Sequence, residues 1–236
     1  MAGDPARHVY DPHLMLFILF NSSKQNIMQK RTIIKSIMNL NDENVFFTSD
    51  THFGHKNILK YCNRPFNSIE EMDEKIIENW NNKVGKNDKV FFLGDFMMSQ
   101  NPDKAKELIN KLNGKKYLVF GNHDVCFIKH PEILYECFNN FSFQMKLKFM
   151  FKNIKYDVIL NHYPMLCFGG AYSNKESQKT IQLFGHVHSG VNSTEGLDIE
   201  RLKYLFKNQY DVGVDNNDFT PVSIKEIIFK IFGEKV

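Results

Sequence analysis

Five times along this chain an apolar run stops at a cluster of carboxylate, amide or imidazole side chains, and this recurring pattern constrains the fold most. Val45-Phe46-Phe47-Thr48 ends at Ser49-Asp50-Thr51-His52. Lys89-Val90-Phe91-Phe92-Leu93 ends at Gly94-Asp95, and Tyr117-Leu118-Val119-Phe120 at Gly121-Asn122-His123-Asp124. Tyr156 to Leu160 ends at Asn161-His162, and Thr180 to Phe184 at Gly185-His186-Val187-His188. Short runs rich in β-branched and aromatic residues read as buried strands. Loops at strand ends are where α/β proteins place their chemistry.

The segments between these runs carry helix signals. Residues 69–83 place Ile69, Met72, Ile76 and Trp80 at helical spacing, with Ser68 as N-cap and Glu71 completing a capping box. Asn101 caps a helix that has Pro102 at its first position, and Gly114 ends it. Residues 143–160 alternate apolar and polar and read as antiparallel strands joined near Lys152-Asn153. Tyr210–Val214 reads as a last strand, and Thr220-Pro221 opens a helix that runs to about Phe232. Residues 189–209 are polar and read as a surface excursion.

Residues 1–43 differ from the rest and are expected to be an N-terminal extension, with the main domain over 44–236. The run Leu14–Phe20 is far shorter than the roughly 20 residues of a membrane span. Arg7 precedes it, but no small-x-small cleavage site follows. It reads as a core strand or an appended segment. Residues 27–40, with Ile27, Ile34, Ile37 and Met38 on one side, read as a helix. Four scattered cysteines without a Cys-x-x-Cys pair exclude a disulfide framework and a thiolate zinc site, and fit a reducing, cytoplasmic setting. The formal net charge of +3 does not by itself call for a nucleic-acid partner.

The polar clusters together offer seven candidate metal ligands: Asp50, His52, Asp95, Asn122, His162, His186 and His188. Carboxylates and imidazoles without thiolate suit Mn, Fe, Ni, Co or Zn. Seven are too many for one tetrahedral ion. They suit two ions, about 3.5–4 Å apart, that share a carboxylate and clamp a displacement at phosphorus. In Asp50-Thr51-His52 and His186-Val187-His188 the ligands stand at i and i+2, one face of an extended strand or its exit. The glycines before Asp95, Asn122 and His186 permit tight turns and close backbone approach.

From Val45 to His188 these blocks, in this order, resemble the calcineurin-like metallophosphoesterases. Phe53-Gly54-His55-Lys56-Asn57-Ile58, Asn63-Arg64-Pro65-Phe66 and Val212-Gly213-Val214-Asp215 followed by Pro221 are similar to a small bacterial and phage branch of that family. The resemblance implies an α/β fold, a two-sheet β-sandwich flanked by helices with a dimetal site at one sheet edge. It implies that Asp50, His52 and His188 hold one divalent ion, that Asn122, His162 and His186 hold the other, and that Asp95 bridges them. Manganese is the preferred metal. A hydroxide shared by the ions would be the nucleophile. His123 would stabilise phosphoryl charge or protonate the leaving oxygen, and Asp124 would hold the His123 ring.

Two further residues admit two readings each. His55 reaches a substrate phosphate or makes a loop hydrogen bond. Arg64 grips phosphate or forms a salt bridge with Glu70-Glu71. The expected activity is hydrolysis of a phosphate ester, with a diester or nucleotide preferred and no membrane partner. A nuclease acting on single strands is the alternative, since Lys146, Lys148, Lys152 and Lys155 lie among phenylalanines. A phosphomonoesterase is another. A non-catalytic scaffold would be expected to lose ligands or the His123/Asp124 pair, and none is lost. The sequence carries no signal of oligomeric state.

Overall fold

The computed structural model describes residues 32–39, as backbone, together with 44–173, 175–189 and 202–233. Leu14–Phe20 and most of the polar excursion lie outside the described residues. The compact unit that holds the elements below runs from Thr32 to Val236. Its strands are β1 (Thr32–Asn39), β2 (Val45–Thr48), β3 (Lys89–Phe92), β4 (Lys115–Val119), β5 (Asn140–Ser142), β6 (Gln144–Phe151), β7 (Ile154–Asn161), β8 (Gln178–Phe184), β9 (Gln209–Asp211) and β10 (Val222–Ser223). Its helices are α1 (Ile58–Tyr61), α2 (Ile69–Lys83), α3 (Pro102–Lys111), α4 (Val125–Lys129), α5 (Glu132–Cys137) and α6 (Ile224–Phe232).

The strands form two five-stranded mixed sheets, in the orders β1-β6-β7-β8-β9 and β10-β2-β3-β4-β5. Strands β2 to β5 run parallel, as do β7 to β9. Parallel strands deliver all their C-terminal ends to one edge, which is how polar clusters far apart in sequence come together. Between the sheets Val45, Phe47, Phe91 and Leu93 pack with Leu147, Phe149, Val158, Leu160 and Leu183, and α6 adds Ile224, Ile227 and Ile228. The other face of β2–β4, with Phe46, Val90, Phe92 and Leu118, is covered by the helices through Met72, Ile76, Trp80 and Ile109. Burying a Trp ring requires a partner for its N–H. Trp80 Nε1 donates to Asn113 O at 2.9 Å.

Helix α2 begins where the capping signal placed it. Ser68 Oγ accepts from Glu71 N–H at 3.1 Å, while the Glu71 carboxylate accepts from Asn67 N–H at 2.8 Å, one residue earlier than a standard box. The β6–β7 hairpin turns at Lys152 and Asn153, both at positive φ (46° and 64°), as a two-residue turn of this hand requires. The C-terminal helix starts at Ile224 rather than Thr220, because Val222 and Ser223 first pair with Phe47 and Phe46. The short elements α4, α5, β5 and β10 gave no periodic signal in the sequence.

The helix expected over residues 27–40 is corrected. Residues 32–39 are strand β1, parallel to β6 with a register shift between Ile33 and Ile37. Thr32, Ile33, Ile34 and Ile37 are β-branched, which disfavours helix and suits a strand. A few apolar residues at helical spacing did not outweigh that preference. Deleting residues 1–31 is therefore expected to leave a folded chain. Deleting 1–43 removes β1, uncovers the β6 edge and lowers the thermal midpoint. Equal midpoints for the two truncations would contradict a structural role for β1.

Candidate metal centre

Two contacts stitch the sheets at the edge where the polar clusters meet. Ser49 pairs with Gly213 across the sandwich, with Val214 N–H donating to Ser49 O at 3.1 Å. His186 N–H donates to Asp50 Oδ2 at 2.9 Å. The backbone turns sharply there. Asp50, His52, Asp95, His186 and His188 all have positive φ, from 49° to 71°. A left-handed residue other than glycine costs on the order of 1 kcal/mol, and such residues gather at functional sites. The i and i+2 residues therefore converge through left-handed turns rather than along an extended strand. Thr51, between two of them, turns inward and donates to Phe96 O at 2.8 Å.

The glycines permit this crowding. A Cβ on Gly94 would strike the Gly121 backbone, and one on Gly121 would strike Asp95 Oδ1. The β3 and β4 ends can lie this close only because neither residue has a side chain.

Ligand-type atoms of Asp50, His52 and His188 lie within 4.8 Å of one another, and so do those of Asp95, His162 and His186. Asn122 joins the second group, with Oδ1 3.0 Å from His162 Nε2. Asp95 stands between the groups. Its Oδ2 is 3.7 Å from His52 Nε2 and 3.5 Å from His162 Nε2. All seven residues singled out in the sequence thus meet at one edge.

The unsatisfied atoms fit a cation. Asp50 Oδ2 accepts from Ser49 Oγ and His186 N–H, while buried Asp50 Oδ1 has no hydrogen-bond partner. Both ring nitrogens of buried His52 also lack one. Leaving such groups unpaired in a protein interior is costly, and a divalent ion would satisfy them. Burial holds the His52 pKa well below the usual range, which Asp95 only partly opposes, so the ring is neutral and able to ligate. His162 behaves oppositely. Burial lowers its pKa, but the hydrogen bond and charge of Asp95 outweigh this and raise it to about 9. Its Nδ1–H donates to Leu93 O at 2.7 Å, which orients Nε2 toward Asn122 and Asp95. A backbone carbonyl fixing the tautomer is the usual support of a metal-binding histidine.

His123 is half-buried, and its ring centroid lies 5.4 Å from that of His52. Its backbone N–H donates to Asp95 Oδ1 at 2.8 Å. The expectation that Asp124 holds the His123 ring is corrected. Buried Asp124 instead accepts from the backbone N–H groups of Asp95 (3.1 Å), Phe96 (2.9 Å) and Gly121 (2.8 Å). A carboxylate beside three strand-end amides satisfies them before it can reach a side chain. Asp124 therefore ties the β3 end to the β4 end and sets the position of Asp95.

Arg64 is also corrected. Its side chain is 0% exposed and pairs with Asp215, neither with solvent nor with Glu70-Glu71. Its Nε donates to Asp215 Oδ1 and NH2 to Asp215 Oδ2, both at 2.8 Å. NH1 donates to Thr51 O (3.0 Å) and Met72 Sδ (3.3 Å), and NH2 to Asp50 O (2.7 Å). A guanidinium has five N–H donors, so none is left for a phosphate. His55 does stand at the site, its ring 5.5 Å from that of His52, with Nδ1 buried and without a hydrogen-bond partner. Burial, then the nearby His123 and Arg64, lower its pKa.

Sequence reasoning gave Asp215 no role. It accepts from His188 Nδ1–H at 2.6 Å. Its signals were its place in the Val212-Gly213-Val214-Asp215 segment and its position two residues after a glycine at a strand end. The thiol of Cys62 lies near His188 and Asp215. In that trio Asp215 is already held by Arg64 through both oxygens and by the His188 ring.

Comparison with known proteins agrees with this picture. The family model described as calcineurin-like phosphoesterase matches residues 44–220. An uncharacterized protein of Methanocaldococcus jannaschii is 34% identical over 197 residues, covering 81% of this chain and 93% of the relative. The gene 66 protein of Mycobacterium phage L5 is 26% identical over 194 residues, covering 73% and 86%. Among solved structures, a protein of unknown function from Aquifex aeolicus aligns with TM-score 0.55 at 27% identity, covering 78% of this chain and 97% of that one.

Proposed function

The chain belongs to the calcineurin-like phosphoesterase family, and from that premise we propose that it is a metal-dependent hydrolase of phosphodiesters and nucleotide esters. The observation that carries the reading is the convergence of Asp50, His52 and His188 with Asp95, His162, His186 and Asn122, with unsatisfied buried ligand atoms on Asp50 and His52. Asp50, His52 and His188 would hold one divalent ion and Asn122, His162 and His186 the other, with Asp95 available to both groups. Manganese is the preferred metal among Mn, Fe, Co, Ni and Zn, all of which accept this oxygen and nitrogen donor set. Such a pair supplies Lewis-acid polarisation of the phosphoryl group and lowers the pKa of bound water toward neutrality. The His123 ring stabilises the phosphoryl oxygens or protonates the leaving oxygen. His55 binds the phosphate from the Tyr61 side. The free, scattered cysteines suit a cytoplasmic location. Among the described residues no helix is long and apolar enough to cross a membrane.

Two exposed tyrosines support the substrate class. The Tyr61 ring, 55% exposed, lies 6.1 Å from that of His55, on the His52 side. The Tyr163 ring, 38% exposed, lies 4.6 Å from that of His186, and its hydroxyl donates to Asn122 Oδ1 at 3.3 Å. Planar groups on either side of the scissile phosphate suit a substrate with an organic substituent on each side, nucleobases included. Of the lysines that kept a nuclease in view, Lys152 lies in the β6–β7 turn, while Lys146 stands opposite Ile159, nearer the His162 end. Lys146, Lys148 and Lys155 alternate with core residues and face away from the inter-sheet core. Lys146 and Lys155 pair there with Asp157 (2.9 and 3.8 Å). Lys155 also lies near the start of β7, seven residues and roughly 23 Å from His162, which follows the strand's other end.

The test is turnover of the manganese-loaded protein on bis-p-nitrophenyl phosphate, p-nitrophenyl phosphate, thymidine 5′-(p-nitrophenyl phosphate), cyclic nucleotides and single-stranded DNA. The diesters and nucleotide esters are expected to exceed the monoester in kcat/KM. Tyr61→Leu is expected to raise KM for the thymidine ester about tenfold, within the range of losing one base–aromatic stack. A monoester preference, or steeply salt-dependent cleavage of DNA with mononucleotides untouched, would replace this reading.

A further inference from the structure

One buried guanidinium connects the two chain segments that supply the Asp50–His52–His188 group. Arg64 follows the first segment closely in sequence, and NH1 and NH2 donate to the carbonyls of Thr51 and Asp50, at 3.0 and 2.7 Å. Its Nε and NH2 also grip both oxygens of Asp215, 151 residues away. Asp215 Oδ2 then accepts from His188 Nδ1–H at 2.6 Å. Met72 Sδ receives the remaining NH1 hydrogen. A planar fork held at every donor cannot rotate, so the carboxylate it grips is fixed as well.

We infer that Arg64 and Asp215 are positioning residues for His188, the carboxylate holding the imidazole in its Nδ1–H tautomer so that Nε2 is the nitrogen offered to the Asp50–His52 group. The inference rests on the reading that Asp50, His52 and His188 bind a metal. It assigns Arg64 a role in metal binding rather than in substrate binding. It also explains why the 211–216 segment belongs to the site although it supplies none of the seven ligands. The Ser49–Gly213 bridge brings it beside the Asp50 turn, and Asp215 reaches His188 from there. Lysine could not replace Arg64, because one ammonium cannot bind both carboxylate oxygens and two carbonyls in this planar arrangement.

Metal titration by calorimetry on the full chain tests this without reference to turnover. Wild type is expected to bind two manganese ions. Asp215→Asn should weaken one binding step by about 10–100-fold, the usual effect of removing the partner of a ligating histidine, and leave the other step within about twofold. Arg64→Gln should weaken the same step. The double variant should lose less than the sum of the two single losses, because Arg64 acts in part through Asp215 and in part through the Asp50 and Thr51 carbonyls. Both steps unchanged in Asp215→Asn would overturn the inference, as would additive losses in the double variant. Absence of metal binding by wild type would instead sink the reading on which the inference rests. Should Arg64→Gln not fold, nitrogen-15 spectra of the zinc-loaded wild type decide the matter. A protonated Nδ1 on His188 is expected, and a protonated Nε2 would exclude the proposed tautomer.

Discussion

Replacing Asp95 with alanine is expected to bring hydrolysis down to background and to weaken both metal-binding steps by more than the roughly 10–100-fold that loss of an outer partner costs. The expectation follows from where its carboxylate stands. Oδ2 is 3.7 Å from His52 Nε2 and 3.5 Å from His162 Nε2, one histidine from each ligand group. Oδ1 accepts the His123 backbone N–H at 2.8 Å, so the same residue also fixes the loop that carries His123. Burial alone would raise its pKa. The hydrogen bond from His162 and the charges of His162, His52 and His123 outweigh this and keep it ionised. Removing the charge leaves buried His162, whose pKa Asp95 raises to about 9, without its counter-ion. Asp95→Asn, close in shape, separates charge from packing and should lose metal with less change in fold. Calorimetric titration of both variants is the check. One binding step of wild-type affinity in either variant would show that the carboxylate does not serve both ions.

His123→Ala is expected to lower turnover by about 10²–10⁴-fold, the usual share of positioned acid–base help, while both metals stay bound. The separation is possible because Asp95 is held by the His123 backbone amide and not by its ring. Truncating the ring therefore leaves the carboxylate in place. Metal content and circular dichroism of the purified variant should match wild type. Substrate choice then tells the two roles of the ring apart. If it protonates the leaving oxygen, the loss is small for p-nitrophenyl esters, whose leaving group needs no proton, and large for alkyl esters. If it stabilises phosphoryl charge, both lose alike. Loss of a metal would mean that His123 is a ligand.

Much of this was legible in the chain itself. Seven ligand candidates could be named because each closes a run that only a buried strand explains, and because their chemistry is uniform in oxygen and nitrogen. The capping residues Ser68 and Asn101 marked α2 and α3 because capping is local physics, decided within a few residues. Residues 32–39 were misread because strand pairing is non-local. Nothing near them in sequence announces that β6, more than 100 residues on, offers an edge. The roles of Asp124, Arg64 and Asp215 were missed or misassigned for a related reason. Each is a carboxylate or guanidinium whose partner is chosen by proximity in space. Asp124 is adjacent to His123 in sequence yet binds the amides of Asp95 and Phe96. Arg64 lies near Glu70 and Glu71 in sequence yet binds Asp215.

By itself, then, the sequence determined which atoms can bind a metal and which runs must be buried, since donor chemistry and hydrophobic pattern are properties of residues and their near neighbours. Only the tertiary structure decided which groups face one another. Parallel strands in two sheets bring five distant loops to one edge, five left-handed residues aim their side chains, and Asp124, Arg64 and Asp215 then take the partners that lie nearest in space. Orientation of the ligands is set by that last step, and it depends on distances that do not exist until the sheets have packed.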